Sequence, residues 1–325
     1  MVEDQAARYD RIAEGYARYW APIIRPASIQ LLDDLDPIMP IRDSGGAQNG
    51  APGGAPGGAP GGASDGAPDG RSRCAPARKS RAVLPREPHV LDIGTGTGTL
   101  AFAALERWPT IRVTGIDASS EMAAWAASHA QDAAGHEDRF VTRVAFADQL
   151  PFDDDTFDAG MSSFVMQLVP NRAVALREAR RVLRPGAPFG YATWLRGSGE
   201  IDPPDRVLDE VLDEFGFDPP GPDTGDGDAA SVEAAVAGLR RAGFRDVVGR
   251  EGVLIHRWSV RGYADFIEHF SEESLFDDLV ERERRAVRRR LVERLRRLRP
   301  HDMRLRLPVA YLRGRAGGGG SRGRD

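Results

Sequence analysis

From His89 to Trp194 the chain alternates short apolar runs with longer amphipathic ones. "HVLDIG", "IRVTGID", "RFVTRVAFAD", "FDAGMSSF" and "PFGYATW" have strand length and are rich in β-branched or aromatic residues. "GTLAFAALERW", "SSEMAAWAASHA" and "NRAVALREARRVL" carry apolar residues at helical spacing. A strand followed by a helix and another strand needs a crossover, and the crossover is right-handed in nearly all sheets. The alternation therefore predicts an α/β fold: a doubly wound, mostly parallel sheet with helices on both faces.

The flanks are less regular. Residues 5–38 read as helical, with Ile12, Tyr16, Tyr19 and Trp20 at helical spacing and Pro26 interrupting before "SIQLLDDL". Asp43 to about Ser80 includes five Ala-x-x-Gly tetrads, from Ala51 to Gly70. A period of four is not collagen's three, and the segment has almost nothing apolar to offset its ordering entropy, so it reads as a disordered insertion. After Trp194 a Pro/Gly/Asp-rich stretch runs to about Asp228. A helix at 229–243, a strand at 247–258 and helices at 261–270 and 275–298 follow. An apolar alternation at 303–315 closes the pattern. The predicted division is a helical lid over 1–43, the insertion over 44–80, a ligand-binding domain over 81–315 with a helical insertion about 261–298, and a flexible tail over 316–325.

Composition narrows the function classes. A net charge of −5 does not call for nucleic acid or a membrane surface. Cys74 is the only cysteine, so an internal disulfide is impossible and no Cys/His cluster has metal-ligand spacing. No apolar run approaches the ~20 residues of a membrane span, and the N-terminal residues lack a signal-peptide pattern. The expectation is a soluble cytoplasmic protein with no metal and an oligomeric state left open. Lys79 is the only lysine among many arginines, a bias that weakens the reading of any single Arg. The Arg-rich segment 281–299 aligns Val287, Leu291, Leu295 and Leu298 on one face, as a solvated amphipathic helix does.

"VLDIGTGTGTL" places Gly94, Gly96 and Gly98 between the first strand and the first helix, where open α/β sheets bind ligands. Gly96-x-Gly98-x-x-Ala101 also satisfies the loose dinucleotide pattern, and Asp117 ends the second strand, where a ribose-binding acid would sit. Both a nicotinamide dinucleotide and S-adenosylmethionine carry that ribose. Asp92 separates them: a carboxylate repels a pyrophosphate but suits a cationic amino group. Asp148 could accept from an adenine amino group, and Met122 could pack an adenine face.

These residues resemble class I S-adenosylmethionine-dependent methyltransferases, most closely the group that includes the quinone-biosynthesis methyltransferases. "VLDIGTGTGTL", "VTGIDASSEM", "ADQLPFDDDTFDAGMSSFVMQLVPN" and "EARRVLRPGAPFGYATW" carry the resemblance over about 90–195, and "YDRIAEGYARYW" extends it more loosely. It implies a Rossmann-like, seven-stranded sheet whose last strand, 303–313, is antiparallel beside 247–258, with helical lid insertions. It makes Asp92, Gly94, Gly96 and Gly98 the loop around the methionine part of S-adenosyl-L-methionine and Asp117 the ribose ligand. Ala118 and Met122 flank adenine, Asp148 and Gln149 approach its edge, and Ser163 lines the methionine side. Many relatives have His in the loop after the fourth strand; this chain has "VMQLVPN", and Gln167 cannot act as a base.

The implied reaction is methyl transfer to an O, N or C atom of a small, partly apolar acceptor in a closed, mostly apolar pocket. Candidates for lining the acceptor site are Tyr16, Tyr19, Trp20, Gln167, Trp194 and Phe266, with Phe215, Phe217 and Phe270 on segments, 195–228 and 261–298, that can reach the same space. Candidate bases are His256, His269 and Tyr16. The alternatives are an RNA, DNA or protein methyltransferase, a non-catalytic S-adenosylmethionine-binding protein, and a nicotinamide oxidoreductase.

Overall fold

The computed structural model describes residues 5–40, 87–132, 136–197, 201–218 and 227–318. The predicted insertion over 44–80 and residues 319–325 of the predicted tail lie outside the described residues. All described residues fall in one compact unit, 1–41 with 87–325.

Seven strands form one sheet: β1 (His89–Ile93), β2 (Arg112–Asp117), β3 (Phe140–Val144), β4 (Ala159–Ser163), β5 (Pro188–Trp194), β6 (Phe244–Arg257) and β7 (Arg304–Ala316). Their order is β3-β2-β1-β4-β5-β7-β6. β1 pairs in parallel with β2 and β4, while β7 runs antiparallel to both β5 and β6. This is the doubly wound, mostly parallel sheet with an antiparallel last strand that the alternation and the resemblance predict. The chain winds outward from β1 to β3, then returns to β4 beside β1, so a crevice opens at the carboxyl ends of β1 and β4.

The helices are α1 (Gln5–Gly15), α2 (Ala21–Leu35), α3 (Thr99–Arg107), α4 (Ser120–Asp132), α5 (Arg172–Val182), α6 (Pro203–Glu214), α7 (Val232–Arg241), α8 (Val260–Phe266), α9 (Glu273–Asp278) and α10 (Glu281–Leu295). Asn171, Ser231 and Ser259 cap α5, α7 and α8 by accepting the N–H of Val174, Ala234 and Gly262. One face of the sheet packs on α2 and α3, with Leu31, Leu32, Leu100 and Leu105 meeting Val90 and Val113. The other face packs on α5 and α7 through Leu176, Ala179, Leu239, Phe189 and Tyr191. A separate cluster joins α6, α8, α9 and α10, with Val287, Leu291 and Leu295 fully buried. No helix among the described residues is long and apolar enough to cross a membrane.

Several predicted boundaries move. Pro26 does not interrupt the N-terminal helix; it lies inside α2, and the break is a π turn at Tyr16–Trp20. An interior proline costs about 3 kcal/mol. Here Ile23, Ile24, Ala27, Leu31, Leu32 and Leu35 are all buried along α2, and that burial outweighs the lost bond. The third strand stops at Val144 rather than running to Asp148, because residues 146–149 turn with the Gln149 N–H donating to the Phe146 carbonyl. The Pro/Gly/Asp-rich stretch after Trp194 contains α6, which opens on Pro203 and Pro204, residues suited to a first turn. The helix expected over 275–298 divides into α9 and α10 at Leu279 and Val280, which are extended. Residues 316–317 are not loose: the Ala316 and Gly317 N–H groups donate to Ala187 and Gly243.

Candidate functional site

A cleft of about 430 Å³ opens at the carboxyl ends of β1, β2 and β4. Its lining combines the loop after β1 (Gly94, Gly96), the end of β2 (Ile116, Asp117, Ala118, Ser119) and the segment after β3 (Ala145, Phe146, Ala147, Asp148). The segment from Ser163 to Val165, residues 168–170, Met122 on α4 and Gln5, Ala6, Tyr9 and Tyr16 from the N-terminal helices complete it.

The glycine loop is tight because its backbone is left-handed. Gly94 has φ +68° and Gly98 has φ +85°. A Cβ at Gly94 would drive into the side chain of Val165, and one at Gly98 into the ring of Phe102. Only glycine meets both demands, the positive φ and the close approach. The loop is fixed from below: Thr95 N–H donates to the Ile116 carbonyl at 2.7 Å, and Gly96 N–H donates to Asp117 Oδ2 at 2.8 Å.

Two carboxylates frame this loop. Asp92, in β1, is 1% exposed. Its Oδ2 accepts the Thr95 hydroxyl at 2.8 Å, and its Oδ1 has no partner among the described residues. Burial pushes its carboxyl up to about 7, with the Asp117 charge adding and the Thr95 hydrogen bond opposing. Asp117 ends β2 and is held by backbone donors, Gly96 N–H on Oδ2 and Ser119 N–H on Oδ1 at 3.0 Å. Burial still raises it, and those donors pull the other way. A carboxylate so held keeps lone pairs for ligand hydroxyls.

The N-terminal helix is tied to the cleft wall. Asp10 accepts the Ser119 hydroxyl at 2.7 Å and the Glu121 N–H at 3.1 Å, so a residue of α1 caps α4. The Ser119 hydroxyl in turn accepts the Met122 N–H at 3.1 Å. The Tyr16 ring lies above Gly96 and edges against Tyr9. Burial, with Tyr9 and Asp117 adding, pushes the Tyr16 phenol far above its ordinary value. Tyr16 therefore stays protonated and can donate but not act as a base.

Seven of the ten predicted cofactor residues line the cleft together: Gly94, Gly96, Asp117, Ala118, Met122, Asp148 and Ser163. Asp92 and Gly98 stand behind the loop, and Gln149 is exposed. Ser163 shares a hydrogen bond of 2.8 Å with the buried Ser28 of α2. Of the predicted acceptor residues only Tyr16 lines the cleft. Trp20, Trp194 and Phe266, all half-buried, pack into an aromatic cluster with Phe270 instead. Gln167 faces a different crevice, on the α5 and α7 side, and its Oε1 accepts the Thr193 hydroxyl at 3.0 Å. Neither predicted histidine reaches the cleft. His269 is exposed and stacks on Tyr19, and His256 lies on edge strand β6 against Trp258, lowered by burial.

Gln5, Ala6, Tyr9, Phe146, Phe164 and Val165 line the cleft without having been singled out in the sequence. Tyr9 was legible, seven residues before Tyr16 on the same helical face. Phe146 is 53% exposed at the rim, in a segment that reads as strand. Phe164 has φ +58°, and its ring stacks on Trp194 with centroids 3.9 Å apart. No local sequence signal marks that conformation.

Residues 90–186 match a family model described as a methyltransferase domain. A ubiquinone/menaquinone biosynthesis C-methyltransferase of Paracoccus denitrificans is 43% identical over 103 residues, covering 31% of this chain and 41% of that protein. A demethylmenaquinone methyltransferase of Chlorobaculum parvum is 36% identical over 116 residues, covering 35% of this chain and 45% of that one. The chain thus spans less than half the length of these curated relatives. Among solved structures, the YcgJ protein of Bacillus subtilis is similar with a TM-score of 0.46 and 20% identity, covering 72% of this chain and 94% of that chain.

Proposed function

We propose that this chain is an S-adenosylmethionine-dependent methyltransferase whose acceptor is a small, partly apolar molecule. The observation that carries the reading is Asp92, a buried carboxylate with one free oxygen at the foot of a glycine loop. Such a group is costly unless a cation completes it. The ammonium of the methionine part would supply that cation, held by the glycine loop in front of Asp92, which does not itself line the cleft. A pyrophosphate in the same place would add charge of the wrong sign. The family match over 90–186 supports the same choice.

The residues present fit the cofactor elsewhere too. Asp117 would accept from ribose hydroxyls, while Ala118, Met122 and Phe146 would offer apolar contact to a purine and Asp148 an acceptor for its amino group. When bound, S-adenosylmethionine supplies an electrophilic methyl on a sulfonium that becomes a neutral thioether as the methyl leaves. The chain's part is alignment and exclusion of water. Tyr9 and Tyr16 cover the loop, and Asp10 holds that cover in place. None of the candidate bases fits: Tyr16 stays protonated, and His256 and His269 lie away from the cleft. An acceptor that is already nucleophilic, or that ionises readily in solution, suits such a site.

The arginines of α10 speak against a nucleic-acid acceptor. Arg284 and Arg288 pair with Glu268, Arg288 also with Asp265, and Arg290 and Arg294 with Glu214. Calorimetry with S-adenosylmethionine, S-adenosylhomocysteine and NADH tests the reading. Binding of the first two without NADH is expected, and the reverse pattern would sink it. Methyl transfer to a panel of small apolar acceptors and to RNA then separates an enzyme from a binding protein and one acceptor class from another.

A further inference from the structure

We propose that the crevice between α5 and α7 is a second binding site, for a small organic anion bearing a phosphate or carboxylate. The crevice measures about 560 Å³ and lies on the sheet face opposite α2 and α3, within the range of small-molecule sites. The inference does not depend on the methyltransferase reading.

Three arginines line the crevice, Arg172, Arg177 and Arg241, against one acidic residue, Asp228. Arg172 donates to the Met166 carbonyl at 2.9 Å and to the Gly227 carbonyl, so neutral groups anchor it and its charge remains. Arg177 and Arg241 have no ion pair among the described residues. This sets them apart from their neighbour Arg181, which binds Glu178 and Asp154. Arginine is abundant in this chain, but unpaired arginines converging on one cavity are not explained by abundance.

The crevice wall adds donors. Tyr191 is 1% exposed, and its hydroxyl, unlike the sealed Tyr311 phenol, is not among the fully buried oxygens that lack a partner, so it opens on the crevice. It lines the crevice, and Arg172 lies close enough to offset part of the rise that burial imposes on it. A phenol that opens on a crevice keeps its O–H to donate to a ligand. Gln167 uses its Oε1 on Thr193 and keeps its amide nitrogen to donate. Guanidinium, phenol and amide groups are donors here, so the complementary ligand is rich in acceptors and negatively charged. Leu176, Ala229, Ala234 and Ala235 make the remaining wall apolar, which suits an organic body attached to the anionic group.

The test uses the full chain and four probes: phenyl phosphate, benzoate, inorganic phosphate and, as neutral control, phenol. Titration calorimetry or protein-observed NMR should show saturable binding of phenyl phosphate or benzoate, tighter than inorganic phosphate and absent for phenol. The phosphate and carboxylate arms decide which head group is preferred. Arg177→Gln and Arg241→Gln are exposed substitutions that leave the fold intact, and each should weaken binding about tenfold. Tyr191→Phe should weaken it less at an unchanged melting temperature. S-adenosylhomocysteine should not compete. The proposal is overturned by no saturable binding of either aromatic anion. It is equally overturned by binding that Arg177→Gln and Arg241→Gln leave unchanged, or by displacement with S-adenosylhomocysteine, which would place the anion in the cleft.

Discussion

Replacing Asp92 by Asn should make the ligand-free protein more stable above neutral pH while weakening its cofactor binding. Burial holds the Asp92 carboxyl at about 7 instead of 3.8. At 1.36 kcal/mol per pH unit that gap corresponds to about 4 kcal/mol against the charged form. The folded value is raised, so the folded state holds the proton longer than the unfolded chain does. The stabilising contribution is therefore fully present below about 3.8, declines as the pH rises through the window, and is gone above about 7. Asn carries no such slope. It keeps an acceptor for the Thr95 hydroxyl, but its amide N–H groups would face the position where Oδ1 has no partner. Burying those donors unpaired costs about 1–3 kcal/mol, leaving a net gain of about 1–3 kcal/mol at pH 8.

Denaturant titrations at pH 5, 6, 7 and 8 read this directly: wild type should lose stability across the series relative to Asp92→Asn. Binding runs the other way. If Asp92 must be ionised to receive an ammonium, affinity for both S-adenosylmethionine and S-adenosylhomocysteine should fall about tenfold per pH unit below 7. Both share the amino group but only one is a sulfonium, so equal slopes assign the effect to the amine. Asp92→Asn should abolish the slope and weaken binding by about 1.5–3 kcal/mol. A pH-independent wild-type affinity, or a variant that binds as well as wild type, would refute the reasoning about the unpartnered oxygen.

Other expectations follow from the same geometry. Gly94→Ala should lower both melting temperature and cofactor affinity, because the Cβ meets Val165 and φ is +68°. Gly96→Ala has open space before the Tyr16 ring at 3.9 Å, so only the left-handed backbone should count, at about 1–2 kcal/mol by chemical denaturation. Asp10→Ala removes the cap that α1 places on α4 and should cost about 1 kcal/mol. The Ser119 hydrogen bond holds the Asp10 carboxyl low, so its stabilising contribution is present above the ordinary carboxylate range and is lost as the pH falls below it. Trp20→Ala should cost about 3–5 kcal/mol of stability, since Trp20 packs on Trp194, Phe266 and Phe270. Cofactor affinity measured on the remaining folded fraction should change little, and a selective loss of affinity would return Trp20 to the ligand site.

The sheet was legible because its strands and helices obey two different periods, 2 and 3.6, and the order of segments leaves few topologies. The glycine loop, Asp92 and Asp117 were legible because strand ends and glycines can be counted along the chain. The acceptor side was not. Trp20 and Trp194 have the composition of a pocket, but Trp20 stacks on Phe270 and Trp194 on Phe164, which packs both, half-buried, against the core. Composition also hid α6: its prolines sit in the first turn, where a missing N–H costs nothing, yet in a sequence they read as loop. Pro26 misled in the opposite direction, because burial of α2 against the sheet outweighs a local penalty that sequence alone can see.

The places where local rules fail are not scattered. Among the described residues, three other than glycine have positive φ. Two are Asp155 and Asp246, and aspartate tolerates that region in turns. The third, Phe164, is a bulky residue there, at a cost of about 1–2 kcal/mol, and it lines the cleft. Asp92, with its raised carboxyl and unpartnered oxygen, lies on the neighbouring strand, level with Met161, three residues before Phe164. Gly94 approaches Val165, the residue after Phe164, too closely for any Cβ. The left-handed turn at Phe164 lets Val165 close on the glycine loop while the Phe164 ring is held by Trp194. Strain, an unmet charge and a forbidden Cβ thus belong to one arrangement, in which β1 and β4 end against each other around the cleft. A chain selected only for stability would keep none of the three; Phe164 and Gly94 line the cleft and Asp92 stands behind its glycine loop, and that clustering is the physical argument that this is where the protein works.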